Sequence, residues 1–423
     1  MSFPPQESSF NERRVRLAYL VSHPIQYQAP LLRRIAQEPD IDLTVFFGSD
    51  FSVRGYKDDG FGVGVKWDTP LLDGYRYEFL PKVRDTKTTS VASPLNYGLL
   101  RRLRGNGDHP RFDALWVHGY STINAIHGML AAKSLGIPVL LRAESWLRDR
   151  TRTNSKLIVK SLYFKALNRL VDAVLPIGTL NTEYWRHYLG SDFPLFLMPY
   201  AVDNEYFQQR GREVQQQRRA LQKELNLDPS RPVILFASKL QSRKRCIDLL
   251  EAYKNLISNI ETGSQPYLVI VGDGEERAAL EQRAREADLC NIRFCGFRNQ
   301  SELPRFFDLA TVFVLPSQHE PWGLIVNEVM NASRAIVLSD DVGCQPDLVR
   351  NGIEGYVYPV GDIPALTFAL QQVLTTPESA IHMGQNALKR IQGWSFEEDI
   401  RGLRQALATV TRKISSQDRI SKS

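Results

Sequence analysis

Short unbroken apolar runs recur along the chain. Each is followed by a polar loop and then by a segment whose apolar positions return every three or four residues. VRLAYLV at 15–21 is the first such run. An apolar run of this length bounded by turn signals reads as a buried strand. The same pattern predicts strands at 43–47, 114–118, 138–142 and 173–176, with an extended stretch at 75–80 after an irregular Gly- and Asp-rich segment at 55–73. Helices are predicted at 31–36, 123–135 and 154–170. A second series has strands at 232–237, 267–271, 292–294, 311–315, 335–339 and 355–358. Its helices are predicted at 245–257, 275–288, 300–309 and, last, from about 396 to 410. Strands alternating with helices predict parallel α/β sheets. Between the two series, 208–223 is polar and rich in Gln and Arg, which marks a domain boundary. The 423 residues exceed one ordinary core and suit two domains of roughly 200. The predicted fold class is α/β, two doubly wound Rossmann-like domains facing a cleft. Residues 1–199 form the first and 200–392 the second, with a final helix and tail at 393–423. Residues 1–14 and 414–423 are expected to be loose. In such folds ligands bind at the loops following the strands' carboxyl ends.

Composition narrows the function classes only a little. The chain is 43% hydrophobic and 24% charged, a globular composition. Its net charge of +6 permits an anionic substrate or lipid surface without demanding nucleic acid, and no nucleic-acid-binding signature occurs. The four cysteines, Cys246, Cys290, Cys295 and Cys344, form no Cys-x-x-Cys pair, so buried reduced thiols are expected rather than zinc. The opening MSFPPQESSFNERR lacks the apolar centre of a signal peptide, and no 18-residue apolar run occurs, so a cytoplasmic location is expected.

Candidate chemistry gathers at predicted strand ends. PSQHEPWGLIVNEVMNASR, 316–334, leaves a strand, passes a polar loop, turns at Pro321-Trp322-Gly323 and enters an apolar helix. Glu320 precedes that helix and Glu328 lies inside it, where a buried carboxylate needs a partner. Backbone N–H groups at Gly323, Leu324 and Ile325 offer an anion site at a helix start. The loop 238–245 carries Lys239, Arg243, Lys244 and Arg245, cations suited to charge developing on a departing phosphate, or equally a solvated basic loop. Gly272 and Gly274 form a Gly-x-Gly turn that lacks the third glycine of a dinucleotide fingerprint and reads equally as a tight strand-to-helix turn. His23, His118 and Glu144 end first-domain strands. His118 has the roomier neighbours, although a lone histidine is more often structural. The 154–170 segment carries Lys156, Lys160, Lys165 and Arg169, with Arg148, Arg150 and Arg152 upstream. It suits either an anionic lipid surface or, by a small margin, an ordinary solvated helix. No nucleophile elbow, Walker lysine loop or metalloprotease motif occurs.

Taken together, these residues resemble the family 4 retaining glycosyltransferases, which have the GT-B architecture. The similarity rests on Glu320 and Glu328 within EPWGLIVNEVMNASRAIVLSD, on Ala237-Ser238-Lys239-Leu240 with Lys244, and on VIVGDGEERAALE at 269–281. FCGF ending at Phe297 and NGIEGYVYPVGD at 351–362 follow in the family's order. HPIQYQAPL (23–31) and WDTPLLDGY (67–75) resemble a bacterial subset associated with surface polysaccharide assembly. The resemblance implies that Glu320 binds donor-sugar hydroxyls, Glu328 the ribose, and Lys239 and Lys244 the diphosphate. It places Gly272, Gly274, Phe297, Gly323, Leu324 and Ile325 in the donor site and His118 near the transferred sugar. It also implies a last helix crossing back to the first domain, a UDP- or GDP-sugar donor, a saccharide or lipid-linked acceptor, and no metal or other cofactor. Ser238-Lys239 replaces the usual Gly-Arg, Arg245 replaces a glycine, Ser22-His23-Pro24 replaces a glycine pair, and Tyr200-Ala201 replaces Asn-Gly. The expected activity is retaining sugar transfer in surface polysaccharide or glycoconjugate synthesis, with peripheral contact at the inner membrane face. The rivals are a nucleotide-sugar epimerase or hydrolase on the same fold, and a non-catalytic sugar-nucleotide-binding protein.

Overall fold

The computed structural model describes residues 14–420 apart from 55, 58–63, 66–67, 85–87, 108–109 and 149–152. The expectations for the tail at 1–13, for Trp67, for Arg150 and Arg152, and for 421–423 lie outside the described residues.

Two six-stranded sheets, parallel throughout, carry the chain. In the first the spatial order is Arg76–Phe79, Ile41–Phe47, Val15–Val21, Ala114–His118, Val139–Arg142, Ala173–Val174. In the second it is Ile292–Phe294, Tyr267–Val271, Val233–Ala237, Val312–Leu315, Ala335–Ser339, Gly355–Tyr358. Each sheet thus starts at its centre, grows to one edge, then returns to the other. This is the doubly wound order, with a crevice where the winding reverses. In the first sheet Leu17 pairs with Leu43 on one side and with Ala114 on the other. Both faces are covered by helices, which is why the strands read as continuous apolar runs rather than alternating ones.

The polar segment at 208–223, read as marking the domain boundary, lies in helices over Asn204–Val214 and Arg218–Glu224. The Asp203 side chain caps the first of these by accepting from the Tyr206 N–H. Phe207, Val214 and Leu221 recur every seven residues and are all buried, Phe207 and Leu221 within the second domain's core. One apolar residue per two turns is a weak signal, yet Gln, Arg and Glu are good helix formers. Helices at Leu99–Arg104, Thr179–Leu189, Ile363–Leu374 and Pro377–Gln392 add to those expected.

The last helix is longer than expected, Phe396–Ile420. It lies on the first domain: Ile400, Leu403, Leu407 and Val410 share one core with Leu17, Tyr19, Trp116 and Met198. Gly402 permits the approach, because a Cβ there would stand 1.9 Å from the Leu197 carbonyl oxygen. Asp399 and Arg142, almost wholly buried, meet at 3.2 Å. The Arg142 guanidinium also donates to the Met198 and Pro199 carbonyls and lies 4.8 Å from the centre of the Tyr200 ring.

Tyr200 is the seam between the domains. Its carbonyl accepts from the Asn327 side chain at 2.9 Å and from the Trp394 indole at 2.8 Å. The Trp394 ring stacks on Trp322. Further along, the Asp347 carboxylate accepts from the Thr179 N–H and hydroxyl, so a second-domain anion sits at the start of a first-domain helix. Of the cysteines, Cys246 and Cys344 are buried. Cys290 is exposed and Cys295 partly so, against the expectation of four buried thiols.

Candidate active site

The crevice of the second sheet is flanked by the loops after Val233–Ala237 and Val312–Leu315. From the first, Lys244 reaches across and donates to Glu320, and Arg243 stands 3.4 Å from the same carboxylate oxygen. The Lys244 and Glu320 side chains are 10% and 11% exposed, so this is a buried ion pair at a ligand-binding edge. Burial lowers the Lys244 ammonium's pKa; Glu320 pulls it back up, while Arg243 and Lys239 push it further down. Lys239 is therefore close enough to act on the same charge cluster. Arg245 is committed elsewhere: it holds a left-handed backbone (φ 50) and pairs with Asp248 at 2.6 Å.

Glu320 is fixed by its backbone. Its N–H donates to the Asp341 carbonyl and its carbonyl accepts from the Gly343 N–H at 2.9 Å. The Trp322 carbonyl accepts from the Cys344 N–H in the same way. Gly323 then takes φ 90, and the helix Leu324–Met330 begins, its first N–H groups lacking intrahelical acceptors. Gly272 serves the neighbouring loop: at φ 138, any Cβ would lie 1.9 Å from the Ser238 carbonyl oxygen. Gly274 (φ 153) donates its N–H to the Asp273 side chain. Phe297 follows Gly296, whose carbonyl accepts from the Gly272 N–H. These glycines set how closely the strand-end loops approach one another.

Glu328 faces a chamber of about 300 Å³ whose walls include Tyr27 and Arg33 of the first domain and Tyr206 and Gln300 of the second. Its partner is the Gln300 amide, at 3.4 Å. Gln300 in turn bonds Gln26 at 2.6 Å and Thr69 at 2.9 Å. Beside it, Asp68 accepts from the Ser301 N–H and hydroxyl. A strap of the first domain is thus tied across the chamber to the second. Burial lifts the Glu328 carboxyl from 4.5 to about 7, with the Gln300 amide pulling the other way. A carboxyl raised in the folded chain binds its proton more tightly there than when unfolded. Its contribution to stability is full below pH 4.5 and lost as pH climbs to about 7. Wild type is therefore expected to lose melting temperature across that window relative to Glu328→Gln. Parallel melting curves for the two proteins would show that the carboxyl ionises normally.

On the opposite wall, His118 ends its strand 13% exposed, with Nε2 3.8 Å from the Glu144 carboxylate. The Gln28 amide nitrogen lies 3.0 Å from His118 Nδ1, and Gln28 is itself held by the Tyr19 hydroxyl. Glu144 also accepts from Tyr27 at 2.6 Å and from Tyr200. Burial would raise the Glu144 carboxyl, but His118 and the two phenols outweigh it and hold it at about 2. His23 turns away from this cluster onto Phe51, and burial first, then the His118 charge, lowers its pKa to about 4. Tyr27, Gln28 and Gln300 were not singled out from the sequence, and Tyr200 was marked only as a departure from Asn-Gly. Tyr27 and Gln28 lie in HPIQYQAPL, where position in a strand-end loop was the available signal. Tyr200 belongs to both walls, its ring 6.2 Å from Trp322. Among the described residues no cluster of His, Cys, Asp and Glu could hold a metal.

Residues 217–390 match the family model "Glycosyl transferases group 1". The matched stretch takes in Lys239, Lys244, Glu320 and Glu328, and leaves His118 and Glu144 outside. The chain is 28% identical over 176 residues to an alpha-D-kanosaminyltransferase of Streptomyces kanamyceticus, spanning 41% of this chain and 44% of that one. It is 26% identical over 302 residues to an alpha-maltose-1-phosphate synthase of Mycobacterium tuberculosis, spanning 66% of this chain and 75% of the relative. The match thus spans less than half the length of the first relative. Among solved structures, Anabaena Alr3699/HepE in complex with UDP and glucose superposes with a TM-score of 0.64 at 16% identity, covering 97% of this chain and all of the other. That likeness concerns the fold. Residues 217–390 are thus similar to group 1 glycosyl transferases, and they sit within a two-domain frame of the GT-B kind.

Proposed function

We propose that the protein is a retaining glycosyltransferase that moves a sugar from a nucleoside-diphosphate sugar to a hydroxyl of a saccharide or lipid-linked acceptor. The observation that carries this reading is the Lys244–Glu320 pair, with Arg243 beside it, at the strand edge just ahead of the Gly323 turn. In this reading Lys244, Lys239 and Arg243 face the diphosphate, Glu320 turns to the sugar hydroxyls and Glu328 to the ribose. Gly272, Gly274, Phe297, Gly323, Leu324 and Ile325 shape the donor site. The bond from the sugar's anomeric carbon to the diphosphate breaks while the acceptor oxygen bonds to the same face. The acceptor proton passes to the departing phosphate oxygen. No protein nucleophile or resident metal is needed, because positioning and fixed charge do the work. His118, held by Gln28 and Glu144, stands on the acceptor side. Synthesis of surface polysaccharide or glycoconjugate at the inner membrane face is the setting, on the strength of HPIQYQAPL and WDTPLLDGY.

Thermal melting with UDP-, GDP- and ADP-sugars tests the donor site, since a ligand at 100 times its Kd stabilises by about 2.7 kcal/mol. One nucleotide series should raise the melting temperature. NMR of the product formed with acceptor should then show the donor's own anomeric configuration. No shift with any nucleotide sugar would overturn the donor-site reading. Free sugar or an epimerised donor as the sole product would favour the hydrolase or epimerase instead.

A further inference from the structure

The helix Asn154–Leu167 is apolar on both faces. Its inner face is built in: Phe164 and Leu167 are buried, and the Lys160 ammonium lies 4.6 Å from the centres of the Tyr184 and Tyr188 rings. Its outer face is bare. From Ser155 to Leu162 every residue but Lys160 is exposed. Ile158, Val159 and Leu162 are 63%, 67% and 59% exposed. Ile158, Leu162, Lys165 and Arg169 follow helical spacing, so they form one stripe opposite Lys160, Phe164 and Leu167. From Thr153 to Val171 there is no Asp or Glu. Isolated exposed apolar residues are ordinary, but several on one helix, set among cations in a segment without Asp or Glu, are not.

At the base of this helix lies an open groove of about 690 Å³. Hydroxyls and aromatic rings dominate its lining, from Tyr120, Ser121, Ser145, Tyr163 and Phe164. Tyr120, Ser121 and Ser145 belong to the loops that follow the strands ending at His118 and Arg142. The far bank continues into Ile123, 44% exposed, whose N–H donates to the carbonyl of Val91, 65% exposed.

We propose that this helix docks the protein on an anionic lipid bilayer, and that the groove at its base takes the polar head of an amphiphilic acceptor held in that bilayer. The acceptor part rests on the glycosyltransferase reading; the docking part stands without it. Charge sign selects the occupant: apolar side chains interleaved with cations and no anions match the boundary between anionic headgroups and acyl chains. A water-soluble protein partner would leave the cations unmatched unless it were itself acidic.

Sedimentation of the full chain with phosphatidylcholine vesicles, with and without phosphatidylglycerol, reads the docking directly. Binding is expected to the anionic vesicles and to weaken at about 0.5 M salt, where charge is screened. Ile158→Ser with Leu162→Ser, and separately Lys165→Glu with Arg169→Glu, should each lower the partition coefficient on the order of tenfold or more. All four positions lie on the outer stripe, so melting temperatures should stay at wild type, and a variant that melts early would be replaced by Val159→Ser. Lys244→Ala should bind vesicles as wild type does, whatever becomes of sugar transfer. No binding to anionic vesicles, or binding that both pairs leave unchanged, would overturn the proposal. So would a dimer that dissociates on the Ile158→Ser and Leu162→Ser changes, which would assign the face to a second copy. The acceptor part is read from rates: lipid-presented acceptor should be used faster than the same saccharide free in solution, and equal rates would refute it.

Discussion

Lys244→Ala is expected to lower kcat/KM for the donor by about 10²–10³-fold, the scale seen when one preorganised charge-stabilising donor is removed. In the proposed reaction negative charge grows on the leaving diphosphate, and Lys244 is the most enclosed cation of the cluster at that edge. Its ammonium already meets Glu320, so the same change also strips a buried carboxylate of its partner. Breaking such a pair from one side costs about 3–5 kcal/mol. Arg243, 3.4 Å from Glu320, offsets part of that. The two effects separate in the double variant Lys244→Ala with Glu320→Gln. It should recover most of the lost melting temperature while remaining inactive. Steady-state rates with the stabilising nucleotide sugar, alongside urea unfolding, measure both. Near-wild-type turnover by Lys244→Ala would remove this lysine from the chemistry.

Asp399→Ala should unfold about 3–5 kcal/mol more easily than wild type, because it leaves the Arg142 guanidinium, 2% exposed, charged and unpaired inside the first domain. Burial raises the Asp399 carboxyl's pKa, and the Arg142 guanidinium beside it pulls the other way and favours the ionised form. The pair is also incompletely bonded: Asp399 Oδ2 and Arg142 Nε have no hydrogen-bond partner. Replacing both residues, Arg142→Met with Asp399→Leu, is therefore expected to restore much of the stability lost in the single variant. Urea unfolding of the three variants checks the order. Equal stability of Asp399→Ala and wild type would mean that the apolar face of the last helix alone holds it to the first domain.

Much of the fold was legible because parallel strands covered on both faces must be apolar along their whole length. VRLAYLV, YLVIV and AIVLS each stand out as runs. Glu320 and Lys244 could be singled out because strand-end loops concentrate ligand chemistry, although nothing in the sequence indicates that the two side chains meet. The helices at Asn204–Val214 and Arg218–Glu224 were illegible because their buried stripe is one residue wide. Gln300 escaped notice, and Tyr200 was marked only as a departure from Asn-Gly, for a different reason. Each matters through partners more than 50 positions away: the Glu144 bond to Tyr200 and the Gln26 and Thr69 bonds to Gln300 exist only after both domains have folded and met. Arg142 and Asp399, 257 positions apart, are invisible to local pattern in the same way. The 154–170 segment was ambiguous because its apolar residues could all have pointed inward.

The strap from Asp68 to Thr69 has a kinetic consequence. It closes the chamber beside Glu328 with hydrogen bonds to Gln300 and Ser301, and the Asp68 contacts are open to water. Bonds of that kind contribute little each and break readily. If a nucleotide sits against Glu328 as proposed, its release is expected to require the strap to let go, and loop opening of this kind commonly limits turnover. The maximal rate would then follow solvent friction, falling as glycerol or sucrose thickens the medium, while the chemical step itself stayed indifferent to it. Trimming the strap's side chains would quicken release and loosen the hold on the donor together.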